Sequence, residues 1–240
     1  MLLHFAKQIN HASRKIINED YDEAIESLKV TWENLKRFLC LANNNGSIMD
    51  CYSSSLMGSF EYEFFSSSPS SSSFLKTTVA ACSQQYQLEV LIFRDPIMVR
   101  GDHFVTHNDF ALLDVLQVCE QLYYIATYNL ALSYHLKSVQ LSQELRQEST
   151  TSATSSSSEL KKSRQKSYHT CLHVALCLYK QTINSSAVPV IRSMAIISNL
   201  GQIHRAFGDH DNADVCKQCL LLIEESSTHC RATRRMAFST

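Results

Sequence analysis

Residues 199–223, NLGQIHRAFGDHDNADVCKQCLLLI, bring together side chains that metal ions favour. His204, His210, Cys216 and Cys219 are spaced H-x5-H-x5-C-x2-C, and imidazole with thiolate is a common ligand set for four-coordinate zinc. A second set, His169, His173 and Cys177 in HTCLHVALC, recurs every four residues. On a helix that spacing offers several ligands to a transition metal from one face. No acidic base stands in an HExxH frame, so metalloprotease chemistry has no support. The chain has no G-x-S-x-G elbow, no phosphate-cradling P-loop and no dinucleotide fingerprint. No catalytic residue is therefore assigned, no cofactor is expected, and the chain reads as a non-enzyme.

Whether either Cys/His set can meet on an ion depends on the elements that carry it. The chain has 240 residues, 45% of them apolar and 19% charged, enough for a sizeable core in one large domain or two small ones. Lys and Arg number 22 against 23 Asp and Glu. That balance gives no broad basic field for nucleic acid or an anionic membrane. No apolar run approaches the length of a spanning helix, and His4, Lys7 and Gln8 interrupt the opening residues before a signal-peptide core can form. The nine cysteines are odd in number and follow no framework spacing. They read as reduced thiols of a cytoplasmic or nuclear protein, with no membrane and no nucleic-acid partner.

Three prolines and five glycines in the whole chain favour long helices over a turn-rich β architecture. Serine runs punctuate it. Residues 43–83 form a Ser-rich flexible insert, and STTSATSSSS lies within a disordered loop over 148–160. Before the insert, residues 1–42 form a helical hairpin. Leu2, Phe5, Ile9, Ala12 and Ile16 make one apolar stripe, and Tyr21, Ala24, Ile25, Leu28, Trp32, Leu35 and Leu39 make the next. A short link at Asn18-Glu19 turns the chain back. Residues 84–101 read as a β-hairpin, with Val90–Phe93 and Ile97–Val99 on either side of Arg94-Asp95-Pro96. A helical core spans 102–228, in which NDFALLDVLQVCEQLYYIATYNLALSYHLKSVQLSQEL is one very long helix or two. Residues 229–240 are a basic tail.

Within that core TYNLALSYHL (127–136) and ISNLGQIHRAFGD (197–209) share Asn-Leu-small followed by a ring-bearing residue. Asn129, Leu130, Ala131 and Tyr134, then Asn199, Leu200, Gly201, Gly208, Asp209 and Ala213, resemble the tetratricopeptide repeat, and Tyr21 and Ala24 match the second half of such a repeat. The layout, with RDPI before an Asn-Leu-small helix, looks like tetratricopeptide-like families of diatoms, a resemblance that brings no activity with it. With the pairing this resemblance implies, the expected fold is all-α, antiparallel helix pairs of tetratricopeptide-like type with a small inserted β-hairpin and two Ser-rich flexible loops. It places His204 and His210 in slots that usually hold inward-facing tyrosines, so packing rather than metal binding is their expected role. It also implies a groove lined by Tyr128, Asn129, Leu132 and His135, and by Ser198, Asn199, Gln202 and Arg205. A protein or peptide partner would lie there, with self-association as a variant. The alternative from another class is a metal- or redox-responsive protein using the Cys/His pairs.

The serine segments contain three contexts for phosphorylation. Ser68 precedes a proline, Ser156 stands three residues before Glu159, and Ser167 three after Arg164.

Overall fold

The computed structural model describes residues 1–44, 62–64, 94–99, 112–151, 158–183 and 190–237. They are mostly helical, with six helices: α1 (Leu2–Ile17), α2 (Tyr21–Asn44), α3 (Leu112–Thr151), α4 (Ser158–Ile183), α5 (Val190–Ala206) and α6 (His210–Ala237). Two short strands, β1 (Tyr62–Phe64) and β2 (Ile97–Val99), complete the described elements. The chain divides into two units. One holds α1 to α4 with both strands, and the other holds α5 and α6. The core expected over 102–228 is therefore parted, because α3 and α4 pack with the N-terminal helices.

In the first unit the α1 stripe of Phe5, Ala6, Ile9, Ala12 and Ile16 is buried, as are Tyr21, Ala24, Ile25, Leu28 and Leu35 of α2. Burying such stripes against each other is what gives short amphipathic helices their stability. Thr31 reaches Gln8 at 3.3 Å, and Lys15 bridges Asp20 at 3.4 Å and also meets Glu23, so the two helices run antiparallel. Asp22 with Lys137, at 2.5 Å, and Trp32 with Thr127, at 2.9 Å, tie α2 antiparallel to α3. Arg164 with Glu144 and Glu148, and Gln181 with Tyr123, do the same for α3 and α4.

Helix α3 is a single helix of 40 residues. Almost every residue from Leu122 to Ser133 is buried. A helix apolar on all sides is one surrounded by partners, and α3 packs on α1, α2, α4 and β2. It reaches Thr151, and α4 begins at Ser158, so helix covers most of the 148–160 segment expected as a disordered loop.

The hairpin expectation is corrected in its pairing. Residues 97–99 do form a strand, but their antiparallel partner is 62–64, in the register Tyr62↔Val99, Glu63↔Met98, Phe64↔Ile97. Residues 90–93 lie outside the described residues. The three-residue YEF sits within the Ser-rich insert, where composition outweighed so short a β-prone signal.

The α1–α2 and α5–α6 hairpins close with the same turn. After α1, Glu19 takes a positive φ of 62°, and after α5 Gly208 takes 75°. In each, the next amide reaches back to the third carbonyl from the helix end, Asp20 to Lys15 and Asp209 to His204, both at 2.9 Å. This is the Schellman arrangement, which consumes carbonyls a helix end would otherwise leave unpaired. An aspartate follows in each turn and leads the next helix.

Candidate functional site

Ile97 and Val99 are the buried residues of β2, with Met98 half-buried between them. In a strand, alternate residues send their N–H and C=O groups to the same edge. Met98 stands opposite Glu63 of β1, so Ile97 and Val99 present their main-chain groups to the opposite edge. Among the described residues no strand lies there. Two asparagine side chains take its place.

Asn129 of α3 accepts a hydrogen bond from Ile97 N–H through Oδ1 at 2.8 Å and donates one from Nδ2 to Ile97 C=O at 2.8 Å. Asn10 of α1 does the same to Val99, accepting from its N–H and donating to its C=O, both at 2.7 Å. Ser13 joins the two helices at this point. Its hydroxyl accepts from Asn129 Nδ2 at 3.0 Å and lies 2.8 Å from Ile9 C=O and 3.2 Å from Ile97 C=O. A carboxamide carries a donor and an acceptor in one plane, so it copies a peptide group. Buried main-chain groups must be paired somewhere, and here side chains from two helices pair them. Immediately upstream Pro96 is buried, while Asp95 is half-buried and burial pushes its carboxyl above the ordinary carboxylate range.

Asn129 was expected to line a groove, and Asn10 was missed. A sequence signal for Asn10 exists: Asn10-His11-Ala12 repeats the Asn-x-small spacing of Asn129-Leu130-Ala131 and Asn199-Leu200-Gly201.

The remaining groove residues of α3 are corrected to interior positions. Tyr128, Leu132 and His135 are buried, at 2% exposure or less. Tyr128 and His135, two turns apart, each meet the Tyr179 ring of α4 edge-on, with centroids 6.1 Å away. They form the α3–α4 seam rather than an open wall, because α4 lies over the face they share. His135 Nδ1 has no hydrogen-bond partner among the described residues. Burial lowers its pKa to about 3, which keeps the ring neutral.

In the second unit Ser198 and Asn199 of α5 are buried, while Gln202 and Arg205 are half-exposed. Only the latter two can take part in an open surface. His204 of α5 is buried. Its Nδ1 lies 2.8 Å from Asp209 Oδ2. Asp209 also accepts from Asn212 Nδ2 at 2.7 Å and from Asn212 N–H at 3.3 Å, capping α6. These Asn212 bonds, with His204 adding to them, hold its carboxyl below the usual carboxylate range. Cys216 faces Gly201 across the α5–α6 pair, where a Cβ on the glycine would stand 3.2 Å from Cys216 Cβ. His210 is exposed at the start of α6.

Of the middle set, Cys177 Sγ and His173 Nδ1 are 3.8 Å apart on the exposed face of α4, while His169 packs on Tyr168 at 5.0 Å. Among the described residues no group of three or more His, Cys, Asp or Glu side chains is placed to share an ion. Cys40, Cys119, Cys171, Cys177, Cys216 and Cys219 are free thiols, and burial pushes Cys119 up to about 11 and raises Cys171, away from reactive thiolate. No helix among the described residues is long and apolar enough to cross a membrane.

The phosphorylation contexts fare differently. Ser68 and Ser156 lie outside the described residues. Ser167 is an exposed residue in the third turn of α4. Arg164 beside it is already engaged by Glu144 and Glu148.

Comparison with protein-family models, with curated proteins and with solved structures finds no match to this chain.

Proposed function

We propose that this chain is a non-catalytic protein-interaction module whose helices hold extended segments of polypeptide. One observation carries the reading. Asn10 and Asn129, on two different helices, grip the main chain of alternate residues of one strand. Main-chain recognition of an extended segment is a recurrent basis for peptide binding, and it makes no demand on a nucleophile or a metal. The resemblance to tetratricopeptide helix pairs points the same way. In the second unit, half-exposed Gln202 and Arg205 of α5 are the members of the expected groove that a partner can reach.

The test is affinity capture of the intact tagged chain from native lysate, beside its Arg205→Glu variant, with mass spectrometry of what co-purifies. The reading expects a reproducible protein partner whose recovery falls at least severalfold with the variant. Recovery of nothing above a tag-only control would sink it.

A further inference from the structure

Segment 94–99 is held by α1 and α3 in the manner of a ligand. Its Ile97 and Val99 main-chain groups are taken by side chains, not by a neighbouring strand, and the two clamps are spaced for alternate residues of one extended chain. Such clamps read backbone and are blind to sequence. Selectivity comes instead from the buried positions, a proline and two branched aliphatics at 96, 97 and 99, with the half-buried residue 98 between them. Ser13, also fully buried, ties the Asn129 amide to Ile9 and Ile97, so the donor geometry is set before any particular side chain is read.

Building on the proposed function, we infer that the α1–α3 clamp is a peptide-binding site for extended Pro-aliphatic-x-aliphatic segments, and that residues 94–99 fill it in cis as a resident ligand. A partner carrying such a segment binds by exchange for 94–99. A tethered ligand competes at an effective concentration of about millimolar order, so the unaltered chain takes an outside peptide poorly. Loss of the cis ligand exposes the site, and the clamp thereby sets the threshold for partner binding.

The probe is a fluorescein-labelled peptide of residues 94–99, Arg-Asp-Pro-Ile-Met-Val, titrated with the full chain. It is compared for wild type and for the Ile97→Asp/Val99→Asp variant, whose own strand is unseated by two carboxylates. The variant should bind at least tenfold more tightly than wild type. Adding Asn129→Leu to it should abolish binding, and a peptide with aspartate in place of its isoleucine and valine should not bind at all. A variant that keeps its helical circular dichroism and Trp32 emission but ignores the peptide overturns the inference, as does equal affinity for wild type and variant. Where the variant fails to fold, the free peptide should restore its helicity and raise its Tm, and failure to do so also overturns it. None of these readouts needs a cellular partner, so a failed capture experiment and a failed peptide titration remain distinct results.

Discussion

The Asn129 carboxamide lies against the main chain of Ile97, 32 residues away in sequence, accepting from its N–H and donating to its C=O at the same 2.8 Å. Both residues are fully buried. Such a pair tolerates no half measure, because removing the amide strands a buried donor and a buried acceptor at once.

Asn129→Ala should therefore destabilise the first unit by about 2–4 kcal/mol, the cost of two unsatisfied buried groups partly relieved by relaxation. Asn129→Asp should cost a similar amount, since a carboxylate can accept from Ile97 N–H but cannot donate to its carbonyl. Urea unfolding monitored by circular dichroism gives both values. A loss below about 0.5 kcal/mol would show that β2 is not gripped as described.

His135 gives the fold a pH dependence with a definite sign. Its pKa falls from 6.5 to about 3 on burial, so the unfolded chain binds a proton that the folded chain refuses. Stability from this group is complete above pH 6.5 and declines as pH falls below it, by up to about 1.4 kcal/mol per pH unit. His135→Leu, which replaces a buried ring whose Nδ1 has no hydrogen-bond partner among the described residues with an apolar side chain, should flatten the stability profile between about pH 6.5 and 4.5. Parallel slopes for the two proteins would contradict a neutral buried ring.

The two matching turns predict opposite responses to substitution. Glu19 carries a side chain at a positive φ, so Glu19→Gly should raise stability by about 0.5–1 kcal/mol despite glycine's larger unfolded entropy. Gly208→Ala meets no steric neighbour within 4 Å, yet its φ of 75° should make it lose about 1 kcal/mol. Thermal unfolding of each variant reads the sign directly.

Trp32, the only tryptophan, reports on the α2–α3 seam. Its indole N–H donates to Thr127 Oγ1 at 2.9 Å, its ring stacks on Tyr123 with centroids 5.8 Å apart, and Lys36 lies 5.1 Å from its centroid. Thr127→Val should cost about 1 kcal/mol and shift Trp32 emission. Unchanged emission together with unchanged stability would dissociate Trp32 from α3.

Local patterns decided the helices and their reversals. Apolar spacing marks the buried stripes of α1 and α2, because a helix packed on one side must repeat its apolar residues every three or four positions. The interruptions at Asn18-Glu19 and Gly208-Asp209 mark the turns, since backbone groups at a helix end need a local solution. The Asn-x-small spacing at Asn10, Asn129 and Asn199 is likewise written in the chain, although its purpose is not.

Tertiary structure alone decided what each face of α3 meets. A helix apolar on every side has no preferred face in its sequence, so only packing could turn Tyr128 and His135 toward Tyr179 and Asn129 toward β2. It also chose 62–64 as the partner of 97–99. Main-chain hydrogen bonds are the same for every residue type, so a pairing across more than thirty residues leaves no mark on either segment. The same indifference hid Asn10: a carboxamide gripping Val99's backbone needs only an asparagine at the right point in space, and the fold supplies that point.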